Sequence, residues 1–167
     1  RMLAATESFA AENPGLPVKV GVLMFNDRAT LLLPVQPYDA ASVTRVLERI
    51  ESPEGGTAIG TAMQEARAEL YRSGVFRKHM LVITDGENTD GPDPGRVAEE
   101  IFLRSGRSVR LHFVAFDTDP EKFGFLEGVE GTLLAADNAE SLRHGLEQLY
   151  RTGILAESVD FGEDSIR

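Results

Sequence analysis

Apolar positions along the chain follow two alternating spacings, one typical of helices and one typical of strands. Residues Met2 to Ala10 carry an apolar stripe at helical spacing, which the breaker Asn13-Pro14-Gly15 ends. Val18 to Phe25 is almost continuously apolar, which predicts a strand buried on both faces. Ala29 to Val35 follows closely enough to pair with that strand as a hairpin.

The rest of the chain alternates predicted helices with predicted strands, separated by polar loops at 52–56 and 87–94. The helices are predicted around Val43–Ile50 with Asp39 as cap, Ile59–Leu70, Val97–Phe102 and Leu142–Leu149, and the strands at His79–Thr84, Val109–Phe116 and Gly131–Ala135. This alternation predicts an α/β domain with a mostly parallel sheet and right-handed crossovers. We assign residues 1–156 to one domain and leave the acidic tail, 157–167, without predicted structure.

Composition narrows the function classes. The net charge of −10 is interspersed along the chain, which disfavours nucleic acid and anionic membranes and favours cations or basic protein patches. The absence of cysteine excludes disulfides, zinc–thiolate sites and thiol nucleophiles. No apolar run approaches the ~18–20 residues of a membrane span, and no targeting segment is recognised, so the compartment is left unassigned.

Three predicted strands end in aspartate, which places Asp27, Asp85 and Asp117 on one rim of the sheet, where α/β proteins bind ligands. Aspartate is also a common turn and capping residue, and we favour that role for Asp27 and Asp117. Asp85 differs because Gly86 lets the backbone leave the strand sharply. Its carboxylate is expected to point into the crevice.

Thr57 is the natural partner of Asp85, since it follows a glycine pair and adjoins the start of a predicted helix. Its hydroxyl either caps that helix or binds a cation, and spacing alone favours the cap. A hard divalent ion such as Mg²⁺ takes oxygen ligands and keeps several waters, so hydroxyls and one or two carboxylates are sufficient.

Two segments, Gly55-Gly56-Thr57-Ala58-Ile59-Gly60 and Leu81-Val82-Ile83-Thr84-Asp85-Gly86-Glu87-Asn88, resemble the second and third parts of the metal-ion-dependent adhesion site of von Willebrand factor A (vWA) domains. The order of the surrounding strands and of the last helix is similar over most of residues 1–156. The resemblance is to the bacterial members of the family. It implies the three-layer, doubly wound, Rossmann-like vWA fold, with one antiparallel edge strand and helices on both faces.

The resemblance also implies a function. A divalent cation, Mg²⁺ or alternatively Ca²⁺ or Mn²⁺, is bound by the Thr57 hydroxyl and, through water, by the Asp85 carboxylate. Gly55, Gly56 and Gly86 shape the site, and Asp27 and Asp117 are candidate rim residues. An acidic residue of a protein partner completes the coordination shell. The expected role is protein binding, not catalysis.

One part of the family pattern is absent. No Asp-x-Ser-x-Ser run occurs in the chain, and no strand precedes the first predicted helix. In the resembled fold that strand lies in the middle of the sheet, so removing it leaves backbone groups of its neighbours unpaired. We expect the strand to come from residues upstream, from another chain or, as a poor substitute, from the acidic tail. Metal binding is conditional on that segment.

Two other functions remain open. One is a metal-free scaffold domain within a larger assembly. The other is a Mg²⁺-dependent phosphohydrolase, in which Asp85 acts as nucleophile or metal ligand with help from Asp27 or Asp117. The three histidines, His79, His112 and His144, lack the close spacing of a zinc site and are expected to be structural or exposed.

Overall fold

The computed structural model describes residues 2–50 and 55–156. Arg1, most of the predicted loop at 52–56 and the acidic tail lie outside the described residues. Within them, helices and strands alternate as the sequence predicts. The helices are α1 (Met2–Glu12), α2 (Ala40–Leu47), α3 (Ile59–Arg72), α4 (Pro94–Arg104) and α5 (Ala139–Gln148), with a 3₁₀ segment at Pro120–Val129 and a π-helical segment at Leu149–Leu155. The strands are β1 (Lys19–Phe25), β2 (Ala29–Pro37), β3 (Lys78–Thr84), β4 (Val109–Phe116) and β5 (Thr132–Ala136).

The strands form two sheets. β1 pairs antiparallel with β2 in a ribbon, and β3, β4 and β5 form a parallel sheet in that order. The predicted hairpin and the predicted α/β class are confirmed. The antiparallel pair, however, forms a sheet of its own among the described residues, whereas we expected an edge strand on the parallel sheet.

The burial of β1 differs from the prediction of a strand covered on both faces. Its residues are half-buried or exposed, because among the described residues β1 has a hydrogen-bonded neighbour on one side only. β3 also ends its sheet, and Ile83 on it is 45% exposed.

One face of the parallel sheet carries the core. Alternate residues of β4, from Val109 to Ala115, point to α3, α4 and the 3₁₀ segment, and Phe113 is fully buried there. Phe113 contacts the rings of Phe123 and Phe125 with centroid separations of 5.7 and 5.5 Å. Because α3 also packs on β1 and β2, it joins the ribbon to the rest of the molecule.

The opposite face of the parallel sheet is covered by α5 and the π-helical segment. Gly145 of α5 lies so close to Leu134 that any side chain there would collide with it. Gly153 of the π-helical segment lies beside His112 of β4. α1 packs on the π-helical segment, where the hydroxyls of Thr6 and Tyr150 are hydrogen-bonded.

The observed ends of the helices can be compared with the ends that local sequence signals predict. Asp39 caps α2 as predicted, its carboxylate accepting from Ser42 N at 2.8 Å. That helix ends at Leu47, so the predicted stripe to Ile50 was too long, and Ile50 is 40% exposed. The 3₁₀ segment was not predicted. Across residues 2–50 and 55–156, no helix combines the length and the apolar character needed to cross a bilayer.

Candidate functional site

The candidate site is formed where the loop before α3 meets the carboxyl ends of β1 and β3. Ala58 N donates to the carbonyl of Asn26, just beyond β1, at 2.7 Å. The carbonyl of Thr57 accepts from Thr89 N, in the loop after β3, at 2.9 Å. These backbone hydrogen bonds hold the loop between the ribbon and the parallel sheet, so both sheets contribute to one rim.

Thr57 is half-buried and does not cap α3. The capping residue is Ala58, which has no side-chain capping hydrogen bond, so the favoured interpretation of Thr57 as a cap was wrong. Among the described residues, the Thr57 hydroxyl makes no hydrogen bond. A Cβ on Gly86 would lie 3.3 Å from it, so the hydroxyl faces the residue that follows Asp85.

Asp85 is exposed at the end of β3, directly after Thr84. Its carboxylate has no hydrogen bond and no ion pair within the described part of the chain. The Thr84 hydroxyl donates to Gly86 O at 3.0 Å and accepts from Gly86 N at 3.3 Å, which turns the backbone out of the strand immediately after Asp85. Thr57 and Asp85 are therefore brought to the same rim with their oxygen atoms available.

The glycine pair fits tightly around Asp27. The Asp27 carboxylate accepts a hydrogen bond from Gly56 N, so this side chain joins the end of β1 to the loop. Gly55 has a φ of +109°, a conformation that L side chains rarely adopt. A Cβ there would collide with the Asp27 carboxylate. Asp27 is exposed and is used here in holding the loop.

Asp117, the third predicted strand-end carboxylate, follows β4 and is exposed. Its φ is +49°, in the left-handed region that aspartate tolerates better than most residues. Its backbone N–H donates to Ala136 O at 2.8 Å, which ties it to the end of β5. The described hydrogen bonds thus connect Asp117 to the far side of the parallel sheet and not to the Thr57 loop.

Residues in the loop after β3 hold the Thr57 loop by hydrogen bonds, and they were not predicted from the sequence. The Thr89 hydroxyl accepts from Thr57 N at 2.7 Å and donates to the Asp90 carboxylate at 3.1 Å. The Asn88 side chain accepts from Gly60 N at 3.1 Å, so it satisfies a donor in the first turn of α3. Their signal in the sequence was the polar loop at 87–94, whose contact with α3 requires the tertiary fold.

The rim carries exposed carboxylates, and a lysine beside it forms an ion pair with one of them. Lys122 forms an ion pair with Glu87, and that hydrogen bond is the main reason that the pKa of Lys122 is raised. In the described parts of the chain, no three His, Asp or Glu side chains are grouped closely enough to hold a metal ion. Within the described residues, the Thr57 hydroxyl and the Asp85 carboxylate lie at this rim without a hydrogen-bond partner.

Two histidines that are far apart in sequence meet on the other face of the parallel sheet. His79 Nδ1 and His112 Nε2 are 3.1 Å apart, and their ring centroids are 5.4 Å apart with an interplanar angle of 14°. The centroid separation exceeds the nitrogen separation by about two ring radii, so the rings lie edge to edge and share an N–H···N hydrogen bond. Burial, followed by the charges of His112, Arg77 and Arg110, lowers the pKa of His79 to about 4. His144 is exposed on α5.

Comparison with known proteins identifies the family to which this arrangement belongs. The family model for the von Willebrand factor type A domain matches residues 9–143, well over half of the chain. No curated protein shows a significant sequence match.

Solved structures agree on the fold. BatB from Bacteroides thetaiotaomicron is 22% identical, with a TM-score of 0.63 over 93% of this chain and 88% of that one. A von Willebrand factor type A structure from Catenulispora acidiphila gives 0.68 at 17% identity, over 89% of this chain and 37% of that one. Proximal thread matrix protein 1 from the mussel byssus, with a zinc-occupied MIDAS motif, gives 0.67 at 18% identity, over 94% of this chain and 40% of that one. The chain thus spans less than half of the last two proteins.

Proposed function

This chain belongs to the von Willebrand factor type A family, whose domains are protein-interaction and adhesion modules, and we propose that it binds a protein partner through a divalent cation held at Thr57 and Asp85. One observation carries the proposal. Both side chains lie on one rim, and neither uses its oxygen atoms within the described structure. The Thr57 hydroxyl does not cap α3, although Thr57 lies directly before the capping position of that helix.

The chemistry of the donor set suits a hard cation. A hydroxyl and a carboxylate are oxygen ligands of the kind that Mg²⁺, Mn²⁺ and Ca²⁺ prefer, and Mg²⁺ retains waters for the rest of its shell. Thr57 would bind the ion directly and Asp85 through water. The bound ion would supply a positive charge that attracts an acidic side chain of the partner. The zinc-occupied MIDAS motif of the mussel protein supports a metal at the corresponding place in this fold.

The surrounding residues fix the geometry of this pair. Asp27 and Thr89 hold the loop from opposite sides by accepting from Gly56 N and Thr57 N. Exposed carboxylates on the same rim raise the local concentration of cations. We therefore propose that Asp27 acts by holding the loop, and that Thr57 and Asp85 contact the ion or its waters.

The affinity for the ion is expected to be low. No Asp-x-Ser-x-Ser run occurs within residues 1–167, so the two hydroxyls and the carboxylate contact that the resemblance assigns to that run are not supplied by this sequence. With Thr57 and Asp85 as the protein ligands, we expect a dissociation constant for Mg²⁺ of about 10⁻³ M or weaker. A segment carrying the run would tighten binding.

The experiment uses the ¹⁵N-labelled chain and a short synthetic peptide with one central glutamate, in about 10 mM Mg²⁺ or in excess chelator. We expect the peptide to shift the amide resonances of Gly55, Thr57 and Gly86 in Mg²⁺ and to leave them unmoved in chelator. A peptide with glutamine in place of glutamate is the matched ligand control.

Variants separate the metal-bridged mechanism from the alternatives. Thr57→Ala and Asp85→Asn should abolish the Mg²⁺-dependent shifts while leaving the other resonances in place. Glu99→Gln, which removes one exposed carboxylate on α4, should have no effect. Equal peptide binding in chelator would favour the metal-free scaffold. Turnover of a simple phosphoester that is lost in Asp85→Asn would favour the phosphohydrolase, and either result would overturn the proposal.

A further inference from the structure

The ion pair between Lys122 and Glu87 joins the two loops that follow neighbouring strands of the parallel sheet. Glu87 lies two residues beyond Asp85 in the loop after β3, and Lys122 lies in the 3₁₀ segment that follows β4. Both side chains are accessible, since 60% of Glu87 and 38% of Lys122 is exposed. The pair can therefore be reached by a partner that binds at the rim.

The strand register places this ion pair close to the proposed cation site. β3 and β4 are parallel neighbours, and Thr84 lies opposite Ala115 at their carboxyl ends. Asp85 and Glu87 are separated by one residue, so their Cα atoms are at most about 7 Å apart. The Lys122 ammonium, which contacts Glu87, thus lies on the same rim as Asp85 and within the length of a short extended peptide.

The segment that carries Lys122 is anchored at both sides of the lysine. Asp119 caps the 3₁₀ segment, its carboxylate accepting from Glu121 N at 3.0 Å. Phe123, the next residue after Lys122, is buried in the core. Because the backbone is fixed in this way, less conformational freedom is lost when the Lys122 side chain binds a ligand.

The partner of Lys122 can be exchanged. An exposed ion pair contributes little to stability, because both charged groups are well hydrated when they separate. A carboxylate from another molecule can therefore replace Glu87 at Lys122 with little loss of free energy. Glu87 then returns to water, to which its side chain is already largely exposed.

The charges of the rim restrict where a second carboxylate of the partner fits. Asp27, Asp85 and Asp117 are exposed at the strand ends, and they disfavour an anionic side chain beside them. Arg28 lies on the ribbon side, directly after Asp27, whereas Lys122 lies on the β4 side. In an extended peptide, alternate side chains lie on the same side and about 7 Å apart. A carboxylate two residues from the cation-bound one therefore has the spacing needed to meet Lys122.

We propose that Lys122 binds a second carboxylate of the partner, two residues away from the carboxylate that the cation holds. This inference rests on the proposed function, because the cation fixes the first carboxylate. The partner segment is extended and carries two acidic residues, and Lys122 directs it over β4 and away from the ribbon. Glu87 occupies Lys122 in the free protein and is displaced on binding.

The test uses the whole ¹⁵N-labelled chain in about 10 mM Mg²⁺ and three peptides of equal length. Each has one glutamate, followed two residues later by glutamate, glutamine or lysine. Either glutamate of the first peptide can bind the cation, so that peptide gains about twofold from the number of binding modes alone. With Lys122 we expect it to bind about four- to tenfold more tightly than the glutamine peptide, which includes a gain typical of an exposed ion pair.

Variants of the two paired residues test the role of the lysine. Lys122→Gln should reduce the preference for the diacidic peptide to about twofold, the gain from the number of binding modes. Glu87→Gln removes the competing carboxylate and should increase the preference. Lys122→Glu should favour the lysine peptide over the glutamine peptide, because the charges are exchanged. Arg28→Gln is the matched control on the ribbon side and should leave the preference as it is.

The outcomes separate this inference from the function on which it rests. If the glutamine peptide binds in Mg²⁺ and not in chelator, but the diacidic peptide gains no more than about twofold, the role of Lys122 is wrong and the cation site stands. A full preference in Lys122→Gln, or its loss in Arg28→Gln, would likewise overturn the inference. If binding of all three peptides is the same in chelator, the proposed function fails and the inference fails with it.

Discussion

The parallel sheet and the β1–β2 ribbon are built from similar apolar strands, but they differ in how much of them is covered. β4 lies between β3 and β5 and has helices on both faces, and six of its eight residues, Val109 and Leu111 to Ala115, are buried. In the ribbon, Leu33 is the buried strand residue, and Leu31 is 43% exposed. Apolar character alone therefore does not determine where the stability resides; strand neighbours do.

The candidate site lies at the junction of these two regions. Asp27 comes from the ribbon, Asp85 comes from the parallel sheet, and the Thr57 loop is hydrogen-bonded to both. Its geometry thus depends on how the ribbon is held against the sheet. The difference in burial predicts that substitutions in the parallel sheet cost more stability than substitutions in the ribbon.

The largest effect is expected from Phe113→Ala. Phe113 is fully buried and contacts two other aromatic rings, so its truncation should lower the free energy of unfolding by about 3–5 kcal/mol. Leu31→Ala in the ribbon should change it by less than about 0.5 kcal/mol. Urea denaturation at neutral pH measures both. Similar losses for the two variants would show that the ribbon contributes to the core as much as the sheet does.

The next largest effect is a dependence of the stability on pH, and it arises from His79 in the parallel sheet. His79 has a pKa of about 4 in the folded protein against an ordinary value of 6.5, chiefly because it is buried. Between these values the unfolded chain binds more protons, so stability is full above about pH 6.5 and falls as the pH is lowered towards 4. The loss attributable to His79 is at most about 3 kcal/mol.

A non-titrating variant isolates this contribution from the carboxylates that protonate over the same range. His79→Gln should flatten the stability–pH profile between about pH 6.5 and 4 relative to the unmodified chain. His144→Gln, at an exposed site on α5, should leave the profile unchanged. If the two variants gave parallel profiles, the buried histidine pair would not carry the predicted pH dependence.

A smaller loss of stability is expected from a substitution in the Thr57 loop, where the ribbon meets the parallel sheet. Gly55→Ala forces a side chain into a backbone conformation with φ of +109° and against the Asp27 carboxylate, so it should cost about 1–3 kcal/mol. Gly15→Ala, where the added Cβ meets nothing within 4 Å, is the control and should be close to neutral. Amide hydrogen exchange should show the Gly55→Ala loss in the Thr57 loop. Uniform loss across β4 instead would mean that the loop is not a separate local unit.

The smallest effect is expected at the start of α5. The Asn138 side chain accepts from Glu140 N and Ser141 N, both at 2.9 Å, and Asn138 N donates to the Ser141 hydroxyl at 3.3 Å. Asn138→Ala should therefore cost about 1 kcal/mol, whereas Asn138→Asp keeps the acceptor and should cost little. Thermal denaturation compares the two. Equal losses would indicate that the side-chain amide, and not the capping oxygen, is what the site requires.

The order and type of the main elements could be predicted because local patterns encode them. Ile59 and Met63 at helical spacing are buried on α3, and the Asp39 cap is where the sequence places it. The strand ends at Asp27, Asp85 and Asp117 were also predictable, since each follows an apolar run. Local spacing was sufficient for these features because they concern neighbours in the chain.

Features that depend on contacts between distant residues could not be predicted. His79 and His112 are 33 residues apart in sequence, and they meet because β3 and β4 pair in parallel register. Thr57 was misjudged as a cap because the first turn of α3 is satisfied instead by Asn88, from the loop after β3. The half-buried state of β1 likewise depends on which strands lie beside it.

A cation held by Thr57 and Asp85 can be located by its effect on nearby amide resonances. Paramagnetic Mn²⁺ titrated into the ¹⁵N-labelled chain broadens the amides nearest to the ion. We expect Thr57, Ala58 and Gly86 to lose intensity first, Asp85→Asn to remove this selectivity, and Glu99→Gln to preserve it. First losses elsewhere on the acidic surface, or the same pattern in Asp85→Asn, would contradict a cation site at Thr57 and Asp85.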